Sequence, residues 1–400
     1  MTVRVNKSAF NIRERLSELE RPIGVKGNEL MRAETAQDAR DLVSAGRKNL
    51  LINGSALVSQ RGTSAASAAS SGEVVSCDQW KTWINGGSGS GASFTLQQEF
   101  SVVPDNFLTS LKVNQTGSAT LTGQNYNLLA NYIEGYRIAH LGFGTSAAKT
   151  VTLSFWIRSS ITGTFGGALS NAGQNRSYPF EYTINAVNTW ERKTITIPGD
   201  TSGTWQRDEN RGFLLFFSIG TGPSYSGPAG AWAGSTYLSS TGANNWVGQS
   251  STFYITGVQL EEGSNATEFE HRSYGEELAL CQRYYQKLYY NASDYPFGYC
   301  YTHGTTESAC VVPLASPLRA NPTAVNLVNC RLRGSNQNGV NNGYNITSST
   351  YASSDNGWRN AMCQVNVVHS ATSSNDIGAA SVITNRISDS TSYIEVIAEI

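Results

Sequence analysis

The sequence predicts a mainly β protein. It reads as an N-terminal short helical arm (1–48), a central jelly-roll β-sandwich (49–272), a linker helix (273–288) and a small C-terminal β domain (289–400). Three observations predict this. Of 400 residues, 39 are Gly, 19 Tyr and 8 Trp, and only 3 are Met, the usage of short strands joined by many turns. Only 15% of residues are charged, below the ~25% of ordinary globular chains. That charge is uneven: residues 1–48 hold 10 basic and 7 acidic residues out of 59 charged residues in the chain.

The same numbers exclude several functions. A formal net charge of −1 gives no bulk electrostatic case for nucleic acid or an anionic membrane. The arm carries 10 bases against 7 acids, and Arg13, Arg15, Arg21, Lys26 and Arg32 are interleaved with acids. That mixture suits protein docking, not a phosphate-neutralising stripe. No apolar run approaches ~18 residues, so no membrane insertion is expected. Met1–Phe10 has no apolar h-region, so no secretory signal is expected.

In the arm, Ile12, Leu16, Leu19 and Ile23 are spaced 4, 3 and 4, a short a/d-like stripe for oligomerisation or docking. Asn11 with Glu14 reads as a capping box, and Pro22 with Gly24 stops the helix. A second helix is predicted over Thr35–Ala45, with Gly46 at its C-terminal end. Helices this short are marginal alone, so they must pack on something. The Ser/Ala run Ser64–Ser71 reads as an exposed loop.

The central region shows β-like runs at Glu99–Val103, Thr109–Asn114, Tyr136–Gly142, Thr150–Ser159, Tyr178–Asn185, Trp190–Pro198, Phe213–Ile219 and Thr252–Leu260. Eight or more short strands in ~190 residues point to a two-sheet sandwich or jelly roll. No 20–30-residue period is present, which argues against a parallel β-helix. Ser273–Lys287 reads as the linker helix, with Leu278, Cys281, Tyr284, Tyr285 and Leu288 on one face. Val311–Pro313, Ala324–Val328, Gln364–His369, Ala380–Ile383 and Tyr393–Ile400 are the later strand candidates. The last alternates cleanly and predicts a tied-down segment. The six Cys (77, 281, 300, 310, 330 and 363) form no CxxC, which disfavours a zinc ribbon. One or two late disulfides compete with buried free thiols, the default for a chain made in a reducing cytosol.

Six stretches in three parts of the chain carry a resemblance. VRVNKSAFNIRERLSEL with AETAQDARDLVSAGRKNLLINGS looks like the start of virion structural proteins and tail fibres of marine cyanobacterial (tailed) phages. NTWERKTITIPGD (Asn188–Asp200), WAGSTYLSSTG (Trp232–Gly242) and TFYITGVQLEEGSNATEFEHRSYGEELALCQRYYQ (Thr252–Gln286) are similar to a module recurring in such proteins. PLRANPTAV (Pro317–Val325) resembles the small β domain that follows it. The resemblance implies a carbohydrate-binding-module-like jelly roll, often trimeric, in a virion appendage assembled in the host cytoplasm. Expected partners are other copies of the chain as a homotrimer, other virion tail proteins and host-surface polysaccharide. A purely structural connector or decorating protein is the second reading, and a polysaccharide depolymerase the third.

The residues themselves offer limited chemistry. Glycosidase action needs two carboxylates ~5–10 Å apart. Acids are sparse in the sandwich, and Glu181, between Phe180 and Tyr182, reads as a solvated strand position. There is no GxSxG or HExxH, and His140, His271, His303 and His369 are scattered. No catalytic residue is assigned, and the chain is expected not to be an enzyme. In Thr150–Ser159, alternation turns Trp156 and Arg158 away from the apolar face, where they would suit a glycan groove. The competing readings place Trp156 under a loop or at an interface. The loop Pro223–Gly248 adds Tyr225, Trp232, Tyr237 and Trp246, aromatics among small polar residues as in binding loops. The competing reading folds this loop back on its own aromatics. Jelly rolls of the resembled type often hold one structural Ca²⁺ where first and last strands meet. Here that is Asn49–Ser55 with Gln259–Glu262, making Glu261 the metal candidate.

Overall fold

The computed structural model describes residues 47–63, 66–69, 71–85, 93–117, 120–247, 251–289, 296–335, 341–351, 362–370, 380–385 and 392–399. The predicted arm helices, with Ile12, Leu16, Leu19 and Ile23, lie outside the described residues. The chain divides into two compact units, Met1–Lys48 with Thr267–Glu270, and Asn49–Ala266 with His271–Ile400. In the first, the Lys48 backbone N–H donates to the Glu270 carboxylate at 2.7 Å. The rest of the description concerns the second.

The sandwich begins with β1 (Ala66–Ala69), β2 (Ser71–Val75), β3 (Lys81–Asn85), β4 (Ser93–Glu99), β5 (Ser110–Gly117) and β6 (Tyr126–Glu134). A helical turn, α1 (Gly135–Ile138), and a 3-10 turn (Ala139–Leu141) follow. Then come β7 (Val151–Ser159), β8 (Gly163–Asn171), β9 (Ser177–Ile184), β10 (Glu191–Ile197) and β11 (Arg211–Thr221). The two-residue strands β12 (Ser226–Gly227) and β13 (Ser239–Ser240) precede β14 (Thr252–Glu262). Two six-stranded sheets result, ordered β1-β4-β5-β14-β7-β10 and β2-β3-β6-β11-β8-β9. This is the predicted sandwich. Inward residues of both sheets share one core: Leu153, Phe155 and Ile157 of β7 meet Leu215 and Phe217 of β11. Alternation with one buried face sets the register.

The second module opens with α2 (Tyr274–Gln282) and β15 (Tyr285–Tyr289), then β16 (Pro296–Thr302), β17 (Glu307–Pro313) and β18 (Ala324–Val328). It ends with β19 (Cys330–Ser335), β20 (Asn341–Tyr351), β21 (Met362–His369), β22 (Ala380–Asn385) and β23 (Tyr393–Ile397). Six of these strands close a barrel, β16-β17-β21-β20-β19-β22, and β15-β23-β18 form a three-stranded sheet. A barrel this small is filled by side chains. Cys310, Val312, Cys363, Val365 and Val367 fill it, and Ile394 and Val396 of β23 join the same core. A disulfide joins Cys300 and Cys310, which face each other across β16 and β17. The other four cysteines are buried thiols.

Four local expectations are corrected. Tyr136–Gly142 is helical, not extended, because the N–H groups of Gly135 and Tyr136 donate to the Asn210 and Asp208 carbonyls and turn the chain. Glu99 ends its strand, since its carboxylate accepts from the Phe100 and Ser101 N–H groups, so Glu99–Val103 is not a strand. Within the run Ser64–Ser71, Ala66–Ala69 pairs with β4 and Ser71 opens β2, so it is not a plain loop. The linker helix stops at Gln282, and Tyr285 to Tyr289 pair with β23. Its start is a true capping box, Ser273 with Glu276.

Candidate functional site

The outward face of the first sheet carries a row of side chains in direct register. Gln97 of β4 lies opposite Lys112 of β5, Lys112 opposite Tyr254 of β14, and Tyr254 opposite Arg158 of β7. All four are partly exposed. Alternation explains the direction: Phe253 and Ile255 fill the core, so Tyr254 between them turns outward. The Lys112 Nζ stands 5.9 Å and the Arg158 Cζ 5.5 Å from the Tyr254 ring centroid, one from each neighbouring strand. Trp190, just before β10, meets the Tyr254 ring edge-on at 6.5 Å. The Arg158 Nε donates to the Asn188 carbonyl at 2.9 Å, fixing the guanidinium beside the ring.

Trp156 occupies the next row, opposite Arg192 of β10 and Thr256 of β14. It is half-buried over a bulge in β14, where the register shifts between Thr256 and Gln259. Gly257 sits in that bulge with φ +60°, and a Cβ there would meet Phe107 at 2.6 Å and Trp156 at 3.2 Å. The glycine therefore makes room for two aromatic rings. Trp156 lies in the row beside that of Tyr254.

The aromatic loop does not display its residues as expected. Trp246 is 1% exposed, stacked on Phe165 at 3.9 Å and near Phe253 at 4.6 Å. It belongs to the sandwich core, which corrects its assignment as a ligand platform. Trp232 is half-buried; its Nε1 donates to the Pro198 carbonyl at 2.6 Å, and its ring packs on Phe143, Tyr178 and Trp205. Tyr237 lies over Gly227, where a Cβ would come within 2.3 Å of the ring. Tyr225 leans on Tyr126 at 5.6 Å. The loop closes over the outer face of the second sheet, where Leu128, Ala130, Tyr132 and Phe216 form a second apolar cluster with Leu238, Cys281 and Tyr284. Half-buried Trp83 remains at its margin, 5.0 Å from Tyr126.

Buried carboxylates are tied to structural partners. Asp200 takes two hydrogen bonds from Arg176, at 2.6 and 2.7 Å. Glu134 binds Arg283 and Tyr284, and Glu277 binds Arg272 and the Asn53 N–H. Glu181 is exposed. Glu261 is buried and accepts from the Gln259 amide at 2.9 Å, while Glu262 pairs with Lys149 at 2.8 Å. Asn49–Ser55, expected as the first strand, is an irregular segment of bends and a turn, and Asn49 ties it to β14: its Oδ1 accepts from the N–H groups of Leu51 and Leu260, and its Nδ2 donates to the Val258 carbonyl. Among the described residues, no three His, Cys, Asp or Glu side chains gather as metal ligands. One amide-bound carboxylate falls short of the six to eight oxygens that Ca²⁺ takes.

Of the sequence candidates, the structure brings Trp156 and Arg158 to one face and sends the loop aromatics elsewhere. The sequence reading missed Lys112, Tyr254 and Trp190. The period-2 alternation of Thr252–Leu260 already placed Tyr254 outward, and that signal could have found it.

No family model matches the chain, and no curated protein matches it. Among solved structures it is similar to a CBM4 module, at 16% identity over 46% of this chain and 88% of that one, with TM-score 0.27. It is also similar to the enzymatically active domain of tailspike protein 4 of bacteriophage CBA120, at 14% identity, 49% of this chain and TM-score 0.27; the match spans 21% of that chain. A family 11 carbohydrate-binding module of a Clostridium thermocellum cellulosomal cellulase matches at 16% identity, over 53% of this chain and 99% of that one, with TM-score 0.23.

Proposed function

We propose that the chain is a virion appendage protein of the tail-fibre type that contacts host-surface polysaccharide without cutting it. Its N-terminal arm anchors it to the particle and to other copies, as a homotrimer. The observation that carries the glycan reading is the outward row Gln97, Lys112, Tyr254 and Arg158, edged by Trp190 and Trp156. Sugar recognition needs aromatic faces for the C–H faces of pyranose rings, with amides and cations for their oxygens. Groups held on rigid strands lose little freedom on binding. The stretches that resemble phage tail proteins support the virion reading, and they supply part of this face: Asn188–Asp200 gives Trp190 and β10, and Thr252–Gln286 gives Tyr254, β14 and α2. Modest contacts of this kind gain strength when linked copies bind together.

The test is retention of the full-length protein on immobilised polysaccharides, with alginate, dextran and lipopolysaccharide as probes. Retention on at least one is expected, with a loss of about tenfold or more for Tyr254→Ala combined with Trp190→Ala at unchanged melting temperature. Folded protein retained by none would overturn the glycan reading and favour a structural connector. Mass spectrometry of purified particles tests the virion reading, and absence of the chain from them would sink it.

A further inference from the structure

The candidate face differs from the rest of the chain in charge. The whole chain is nearly neutral, yet this row places a cation on each side of one aromatic ring. Neighbouring strands lie ~4.8 Å apart, so Lys112 and Arg158 stand about 10 Å apart across Tyr254. Arg192 lies in the adjacent row, opposite Trp156. Two acids at the ends of the flanking strands β4 and β10 already have partners. Glu99 accepts from the Ser101 hydroxyl and from the N–H groups of Ser101 and Phe100, which with Lys112 hold it below the usual carboxylate range. Glu191 accepts from Lys193 at 2.6 Å and from Asn185 and Ala186.

A neutral sugar stacked on Tyr254 would desolvate two cations and return hydrogen bonds in which only the donor is charged. A carboxylate or sulfate on the ring, or on the next sugar, sets an opposite charge against each cation, so Coulomb attraction adds to the hydrogen bond. We propose that this face takes an anionic polysaccharide, with Tyr254 against the sugar ring and Lys112 and Arg158 each binding an acidic substituent. The proposal rests on the glycan reading above and names the class of glycan.

Full-length protein is titrated with alginate, dextran sulfate and neutral dextran by biolayer interferometry. Alginate and dextran sulfate are expected to bind at least about tenfold more tightly than dextran at low salt. Lys112→Gln combined with Arg158→Gln should erase that preference by weakening alginate and dextran sulfate far more than dextran, whereas Tyr254→Ala should weaken all three. Equal affinity for charged and neutral chains, or a preference that survives the double variant, overturns the anionic assignment while the glycan reading stands. Binding of none of the three by folded protein overturns both. Should the double variant misfold, wild-type protein decides: its affinity for alginate must fall several-fold between about 50 and about 300 mM NaCl, and salt independence refutes the proposal. Equal retention of single-stranded DNA marks a generic polyanion surface and also refutes it. Alginate against dextran sulfate tells carboxylate from sulfate recognition.

Discussion

Glu134 and Tyr284 share a hydrogen bond of 2.9 Å where the sandwich meets the C-terminal module. Both are buried, and Arg283 reaches the same carboxylate at 3.1 Å. Arg319 extends this junction, donating to the Ala398, Glu209 and Glu399 carbonyls. Glu134→Ala leaves the Tyr284 hydroxyl buried without its acceptor, at a cost of about 1–3 kcal/mol. Urea unfolding should show a lower midpoint and a split transition as the modules uncouple. An unchanged single transition would count against this junction.

Asp78 sets a pH dependence. It is 1% exposed, and burial pushes its pKa up from 3.8 to about 6, against the opposing pull of Gln60 and Arg61. The folded chain therefore binds this proton more tightly than the unfolded chain. The group's contribution to stability is full below about pH 4 and is lost as pH rises through about 6. Glu191 works in the opposite sense. Burial raises its pKa, but Lys193, Ala186 and Asn185 outweigh that and bring it to about 2, so its contribution fades only as pH falls below about 4.5. From pH 4.5 to 7, the stability of Asp78→Asn relative to wild type should rise by roughly 2 kcal/mol. Denaturant titrations at each pH measure this, and a flat difference refutes it.

Two tryptophans separate core from surface. Trp246→Ala removes a fully buried ring stacked on Phe165 and should cost about 3–5 kcal/mol. Trp156→Ala, at a half-buried position, should cost about 1–2 kcal/mol. Guanidinium unfolding of the two variants checks the order; a reversed order would contradict the assignment.

The Cys300–Cys310 link closes a short loop between β16 and β17. Its reduction should lower stability by about 2–3 kcal/mol, read as an earlier transition in dithiothreitol. Burial pushes the Cys77, Cys330 and Cys363 thiols up to about 12. Iodoacetamide should therefore label them only after unfolding, and rapid native-state labelling of Cys363 would contradict its burial.

Much of the fold was legible because the strand period of two survives wherever one face meets a core. Val151, Leu153, Phe155 and Ile157 spell β7 without help. The misreadings have a common cause: long-range contacts decided the backbone. Tyr136 looks like a strand residue, but carbonyls some seventy positions later bend it into a helical turn. Tyr284 and Tyr285 extend a helical stripe, yet the Ala398 N–H takes the Tyr284 carbonyl and Ile397 pairs with Tyr285. The site was half legible for the same reason. Arg158 followed from its own strand, whereas its partner Tyr254 lies 96 positions away and meets it only through pairing. Composition showed that the loop after β11 is aromatic, but not that Trp246 turns into the core.

The three-stranded sheet has a consequence for how the molecule is made. Its middle strand, β23, is the last of the three in sequence, and among the described residues both β15 and β18 pair with it. The sandwich has all its strands once Glu262 emerges from the ribosome. The junction cannot seal until Glu399 follows, about 140 residues later. At ~5–20 residues per second, the growing chain spends on the order of ten seconds with a finished sandwich, and the later part of that time with both β15 and β18 waiting for β23. Folding of the second module is therefore timed by translation, and a chain interrupted before Tyr393 exposes edges suited to pairing with a neighbour.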